Sequence, residues 1–351
     1  MTVRVNKSSF NIREKLSELE RPIGLKGSEL MRAETAQEAR DLVSAGRKNL
    51  LINGRMQVWQ RATSHTTASG YRSVDRWSFN TYTSGAFTVS KGTDTVHGEY
   101  LSWNRTTADT NNPAAGNCLQ QAIEDCAYLV KGKYITLSFW LKNEKTILRS
   151  GFARLRLNAS PYTALGGQQT WTSTTNEWEY HTITWQIPES IATTHLELQI
   201  QLDNGSSMGD IKITKVQLEV GKNATEFEHR SYGEELALCQ RYFQKIGNIN
   251  FHTWSHDIAD TTGMRLSPWS WPGGPMRVSP TLSFDDGNGN SNRFNVRDPD
   301  EANGSTNVSY SITKTEYGIL TGFKYPYAVS GFTRGQSGYA AVSNLTLSAE
   351  L

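Results

Sequence analysis

Three tryptophans stand in stretches that read as too polar for a core: Trp103 in YLSWNRTT, and Trp171 and Trp178 in GGQQTWTSTTNEWEY. An indole set among Asn, Gln and Arg can stack on the apolar face of a sugar ring while the neighbouring amides and guanidinium bind its hydroxyls. The competing reading for each is a loop aromatic folded over its domain. Trp254, Trp269 and Trp271 form the densest aromatic group, and the Pro-Gly-Gly-Pro that follows Trp271 makes a rigid loop able to display them. A contact between chains is the alternative there, because aromatics are enriched at interface cores as well as at ligand sites. These six residues are the candidate glycan-binding set.

Bond-breaking chemistry has much less to build on. Glu124 and Asp125 adjoin and would point to opposite faces of a strand, and Asp298 and Asp300 flank a proline turn. His252 and His256 have the i, i+4 spacing of a helix, without the glutamate of a HExxH zinc motif. The run DDGNGNSNRFNVRDPD has the Asp, Asn and Gly of a calcium loop but no glutamate at the twelfth position, and is read as a solvated turn. There is no Gly-rich phosphate cradle and no Gly-x-Ser-x-Gly elbow. The reading is therefore of a non-enzymatic protein with no catalytic residues, the enzyme-class alternative being a polysaccharide-cleaving site assembled between chains.

Composition narrows the partners. Lys and Arg number 36 against 34 Asp and Glu, a net charge of +2, so no strong field draws the chain to nucleic acid or to an anionic membrane. No apolar run approaches the ~18 residues that cross a bilayer, and MTVRVNKSSF lacks the apolar centre of a secretory signal, so no membrane insertion and a route other than secretion are expected. Three cysteines, Cys118, Cys126 and Cys239, are too few and too scattered for a disulfide framework or a zinc site and are read as small buried apolar residues. Ten Trp, fourteen Tyr and twelve Phe at a mean hydropathy of -0.54 suit thin β-sandwiches that carry aromatics on their surfaces.

The elements that must position these residues follow from periodicity. Residues 1–49 hold ten Lys or Arg, seven Asp or Glu and a single aromatic, Phe10. Ile12, Leu16 and Leu19 at i, i+4 and i+7 predict a short amphipathic helix, and the Thr35–Glu38 capping box with Ala39, Leu42 and Val43 predicts a second. Helices this short are marginal in isolation, so Ile12, Leu16, Leu19, Leu42 and Val43 need a partner surface. From Leu50 to about Arg230 the strand signals repeat: Tyr71–Phe79, Ala86–Ser90, Tyr134–Leu141, Ala153–Leu157, Tyr180–Ile187, His195–Leu202 and Ile211–Val220. NLLINGRMQVWQR at Asn49–Arg61 and the closing ITKVQLEVGKNATEFEHR read as the first and last strands of one antiparallel sandwich. Within HLELQIQL the leucines and Ile200 take one face while Glu197, Gln199 and Gln201 take the other, which leaves a polar face for ligands beside a dry core. Trp59, Trp77, Trp140 and Trp185 sit inside strand patterns and read as core. GEELALCQRYFQKIG predicts a linking helix from about Glu234 to Lys245, followed by a small β-domain. The fold class is mainly β: a helical module over 1–49, a jelly-roll sandwich over 50–231, a linking helix over 232–247 and a C-terminal β-domain over 248–351.

NLLINGRMQVWQR, VDRWSF, YITLSFWLK, KVQLEVGKNATEFEHRSYGEELALCQRYFQ and the terminal SAEL together resemble bacteriophage tail-fibre proteins, over most of the chain from Asn49 onward. The sandwich part resembles jelly-roll carbohydrate-binding modules that open on an Asn-Gly strand and close on a Gln-Leu-Glu-x-Gly strand. The resemblance implies a homotrimer on the virion tail, assembled in the host cytoplasm. The N-terminal module would attach to other virion tail proteins, and the remainder would bind host cell-surface polysaccharide. A tail connector or head fibre without glycan binding is the alternative it leaves open. Related modules often carry an acidic residue just after the opening Asn-Gly, where it helps hold a structural calcium; here Arg55, Met56 and Gln57 follow. Asp210 and Glu219 are too few for a hard cation, so no metal or cofactor is expected.

Overall fold

A computed structural model describes residues 47–66, 69–80, 86–107, 117–124, 126–144, 148–157, 164–174, 176–191, 195–203, 209–254, 276–278, 280–285, 291, 293–297, 306–309, 311–314, 320–324 and 337–350. The chain is mainly β, as its periodicity implies. Numbered in chain order, a six-stranded antiparallel sheet runs β1 (Ser64–Thr66), β3 (Phe87–Asp94), β4 (Gly98–Arg105), β11 (Gly209–Val220), β6 (Tyr134–Asn143), β9 (Trp178–Gln186). A five-stranded sheet runs β2 (Ser78–Asn80), β5 (Asn117–Ile123), β10 (Leu196–Asp203), β7 (Arg149–Leu157), β8 (Ala164–Ser173). The inward phases of the two sheets share one core. Leu196, Leu198, Ile200 and Leu202 of β10 meet Ile135, Leu137, Phe139 and Leu141 of β6, with Ile211, Ile213, Val216 and Leu218 of β11. Period-two alternation delivers those residues to one side of each strand.

Beyond the sandwich, α2 (Tyr232–Gln240) leads into a further sheet in which β12 (Phe243–Trp254), β18 (Ser337–Ser348), β14 (Arg293–Arg297) and β15 (Thr306–Ser309) lie in that order, with β13 (Thr281–Asp285) also paired to β18. A separate hairpin joins β16 (Ser311–Lys314) to β17 (Leu320–Lys324). One short helix, α1 (Ala127–Val130), interrupts the sandwich. Cys118, Cys126 and Cys239 are buried and none is in a disulfide.

The opening segment Asn49–Arg61 is not a strand. Asn53 (φ 59) and Met56 (φ 58) are left-handed, a conformation incompatible with an extended ladder. The segment is instead a buried loop whose Leu51, Met56 and Val58 fill the core. Outside any regular ladder, most of its backbone groups find side chains as partners. Asn53 Oδ1 accepts from the N–H groups of Gln57 (2.9 Å) and Val58 (3.0 Å), while its Nδ2 donates to the carbonyls of Val58 and Asp75 (both 2.9 Å). Asn49 reaches β11 beside the bulge at Lys215: its Nδ2 donates to the Val216 carbonyl (3.0 Å), and its Oδ1 accepts from Leu218 N–H (3.1 Å). Arg230 Nη1 and Nη2 then donate to the carbonyls of Leu51 (3.0 Å) and Asn49 (2.8 Å). The two bookends therefore do meet, through these side chains and through two backbone bonds, Leu50 N–H to the Leu218 carbonyl (2.9 Å) and Val216 N–H to the Gly54 carbonyl (2.8 Å). Gly54 is required where they cross, since a Cβ there would fall 2.1 Å from the Val216 carbonyl oxygen.

Two further expectations change. Of Tyr71–Phe79 only the end is strand, because Arg76 is left-handed (φ 68) and the backbone groups of Asp75 bond the opening loop, its N–H donating to the Val58 carbonyl (3.1 Å) and its carbonyl accepting from Asn53. Asp75 accepts from the Gln60 backbone N–H (3.1 Å) and Gln60 Nε2 (2.5 Å), and Arg76 donates to the Ala122 carbonyl (2.8 Å) and pairs with Glu350. The helix ends at Gln240, because Phe243 pairs with Ser348 of β18 and the ladder continues through Lys245, overriding helical spacing. Trp77 and Trp185 are core and Trp59 packs against it, but Trp140 points out of the core, on the opposite phase from Phe139 and Leu141.

Asn53→Ala removes four hydrogen bonds at once and should lower stability by about 3 kcal/mol, read as a fall in the urea midpoint. Burial raises the Asp75 carboxyl from 3.8 to about 6, with Arg61 and Gln60 pulling it back. The folded state therefore prefers the protonated form, and this group's contribution to stability is lost as pH rises from about 4 to about 6. Asp75→Asn should gain on the native chain across that window, by at most about 3 kcal/mol, in thermal melts taken from pH 4 to pH 7.

Candidate functional site

The outer face of the five-stranded sheet carries the polar row expected from HLELQIQL, and the fold adds partners from the adjacent strands. On β10, Glu197 stands opposite Arg156 of β7 and Ala122 of β5, and Gln199 opposite Arg154 and Gln120. Ser78 of β2 extends the second row past Gln120. Arg156 holds Glu197 by Nε (2.7 Å) and Nη2 (2.6 Å), both to Oε1. In the next row Arg154 Nε donates to Gln199 Oε1 (2.6 Å), and Gln199 Nε2 donates to Gln120 Oε1 (2.8 Å). Glu197, Gln199 and Gln201 are all buried although they are on the outer phase of their strand.

Hydrogen bonding from both sides fixes the rotamers of this row, and a fixed row of polar groups binds with less ordering cost than a loose one. Arg154 is half-buried over the Phe152 ring, 5.1 Å from its centroid. Its Nε is occupied by Gln199, while its two terminal nitrogens make no hydrogen bond among the described residues. A planar pair of donors held in this way matches vicinal hydroxyls or a carboxylate. Burial raises the Glu197 carboxyl above its ordinary value, with Arg156, Gln199 and Arg154 drawing it back. Burial likewise pushes the Tyr71 phenol up to about 12. Arg76 and Arg61 oppose that rise, and Glu350 and Glu197 add to it.

The structure redistributes the six tryptophan candidates. Trp103 is fully buried, stacked on Phe87 at 4.2 Å and 15°. Its polar neighbours Ser102 and Asn104 occupy the other phase of β4, while Leu101 and Trp103 share the inner one. Trp171 is also core, its indole N–H donating to the Gln201 carbonyl (3.1 Å). Neither is a ligand platform. Trp178 is half-buried on the outer face of the six-stranded sheet, away from the Arg154 row. Trp254 belongs to β12, opposite Ser337. Trp269 and Trp271 lie outside the described residues, as do Ile12, Leu16, Leu19, Leu42 and Val43. Arg154, Arg156, Gln120 and Tyr71 were not singled out in the sequence. The signal for the arginines was RLRL, where charge alternates with leucine at strand period.

Asp210 and Glu219, weighed as calcium ligands, are at opposite ends of β11 and already occupied. Asp210 accepts from Ser102 Oγ (2.5 Å), and Glu219 accepts from Thr225 N–H (2.8 Å), Thr225 Oγ1 (2.7 Å) and Gln217 Nε2 (2.9 Å).

No protein-family model matches the chain, and no curated protein matches it. Among solved structures it is similar to a family 4 carbohydrate-binding module, at 19% identity over 48% of this chain and 98% of that one, with a TM-score of 0.36. It is also similar to the enzymatically active domain of tailspike protein 4 of bacteriophage CBA120, at 19% identity over 49% of this chain and 21% of that one (TM-score 0.35). A third is the C-terminal family 22 carbohydrate-binding module of a Clostridium thermocellum xylanase, at 16% identity over 43% of this chain and 89% of that one (TM-score 0.32). At these identities and scores the likenesses carry no functional argument.

Trp103→Ala should cost about 3–5 kcal/mol and lower the unfolding midpoint of the whole sandwich, because it empties the centre of the core. A variant with native stability and weakened ligand binding would contradict this assignment.

Proposed function

We propose that this is a non-catalytic virion protein that binds polysaccharide on the host cell surface through the outer face of the five-stranded sheet. The observation that carries the reading is Arg154: locked through Nε by Gln199, backed by Phe152, and left with two outward nitrogens beside Glu197. Sugar hydroxyls are weak ligands one at a time and bind to donors and acceptors already held in place. Residues 1–49 would attach to other tail proteins, and three copies of the chain would raise avidity by linking weak sites without adding a contact. The motif resemblance to tail-fibre proteins supplies this setting.

The test is a titration of the full chain against a panel of purified bacterial surface polysaccharides, with the mass measured in the same solution. Arg154→Ala should weaken binding about tenfold or more, the loss of roughly 1.4 kcal/mol expected of one or two charge-assisted hydrogen bonds, at an unchanged melting temperature. Unchanged affinity in a folded Arg154→Ala would refute the assignment of the face.

A further inference from the structure

Rings also gather on the opposite outer face, that of the six-stranded sheet. Trp140 of β6 stands opposite Tyr180 of β9, their ring centroids 5.3 Å apart, and Trp178 lies two residues away on the same face. The turn between β3 and β4 places His97 against both indoles, 4.5 Å from Trp140 and 4.8 Å from Trp178. Tyr100 of β4 closes the group, 5.8 Å from Trp178. None of these side chains is part of the sandwich core. Their strand neighbours Phe139, Leu141, Leu101 and Ile183 are, so the rings occupy the solvent phase of their strands. Tyr180 is 46% exposed.

Cross-strand aromatic pairs stabilise a sheet by roughly 0.2–1 kcal/mol each, and that alone would account for one pair. Three features go further. The rings meet at 36–64° rather than face to face, so they form a stepped cluster, with Tyr180 its most exposed member. The border is polar and already ordered. Lys212 Nζ lies 2.5 Å from Glu144 Oε1 and 5.0 Å from the Tyr100 ring centroid, Lys142 Nζ lies 3.9 Å from the same Glu144 oxygen, and Ser102 donates to Asp210. Finally, the border charges cancel: Lys142 and Lys212 face Glu144 and Asp210. Burial and Lys215 also lower the His97 pKa, against the opposing pull of Asp94, which favours the neutral imidazole between the indoles. An aromatic step inside a charge-balanced, hydroxyl-binding rim suits a neutral, many-hydroxyl ligand with one apolar face. It does not suit an anion.

We propose that the ring cluster of Trp140, Trp178 and Tyr180 is a second glycan site, which takes a neutral hexopyranose with its C–H face on the rings and its hydroxyls on the rim of Glu144, Lys212 and Asp210. The proposal shares with the preceding reading only the premise that the chain meets glycans, and its residues are on the other side of the sandwich. One chain would then hold two sugar segments at once.

The experiment follows intrinsic tryptophan fluorescence of the full chain on addition of neutral hexasaccharides of glucose, mannose and galactose, each in α- and β-linked form. At least one should bind with saturation, and Trp178→Ala and Tyr180→Ala should each weaken it about tenfold, while Trp178→Phe retains most of the affinity. Tyr180→Ala guards against misfolding, since that ring is the most exposed of the group. Three results would overturn the site: no neutral hexasaccharide binding up to about 10 mM, affinity unchanged in a folded Tyr180→Ala and Trp178→Ala, or affinity lost in Arg154→Ala but kept in Trp178→Ala, which would seat the sugar on the first face. Loss of polysaccharide binding confined to Arg154→Ala bears on the first face alone.

Discussion

A buried stretch of backbone that belongs to no ladder must have its N–H and C=O groups satisfied some other way, and the arrangement of this sandwich follows from how the opening loop meets that demand. Asn53 supplies two acceptor and two donor bonds within the loop and to Asp75, while Asn49 adds side-chain bonds to β11 beside its bulge, where Leu50 and Gly54 make the backbone bonds. Arg230 caps two of the loop's carbonyls, and Glu235, at the start of α2, accepts from the Asn53 N–H (2.5 Å). Each group is buried, so the loss of any one leaves a polar partner stranded in low dielectric. The loop thereby fixes the ends of β11 and the position of α2, and with them the approach of the C-terminal sheet.

The same region joins the sandwich to that sheet through charge. Arg76 is fully buried between Glu350 and the Tyr242 ring, 3.4 Å from its centroid, and Arg61 bonds both Glu350 (3.0 Å) and Asp75 (3.4 Å). Two guanidiniums against two carboxylates in a dry junction are costly to separate, because removing one partner leaves an uncompensated buried charge.

Much of the sandwich was legible because its strands keep period two: Leu196 to Leu202, Ile135 to Leu141 and Ile211 to Leu218 need only alternation to be placed. The opening loop was not, since Leu51, Met56 and Val58 have the apolarity of a strand while the left-handed turns at Asn53 and Met56 are invisible to periodicity. Helix α2 was read too long because ladder partners in β18 lie about a hundred residues downstream. The buried tryptophans differ in how far the sequence places them. Adjacent residues mislead because Ser102, Asn104, Thr170 and Thr172 belong to the opposite face; Leu101, two residues away, marks Trp103 as inward, whereas Trp171 has the polar Gln169 and Ser173 at that spacing and is placed only by the pairing of β8 with Gly151 of β7. By the same measure Trp140 and Trp178 read as outward. The polar row of β10 was legible for this reason, but its guanidinium partners depend on the pairing of β7 with β10.

The bonds that close the opening loop span 179 residues from Asn49 to Glu228, 181 to Arg230 and 182 from Asn53 to Glu235. Contacts so distant in sequence are formed late, after the loop entropy between them has been overcome. During synthesis the first segment of the sandwich emerges long before its partners. The loop's bonds to Asp75 form between near neighbours in sequence, but those to Glu228, Arg230 and Glu235 wait for some 180 further residues, so the last step in closing the sandwich is set by their arrival.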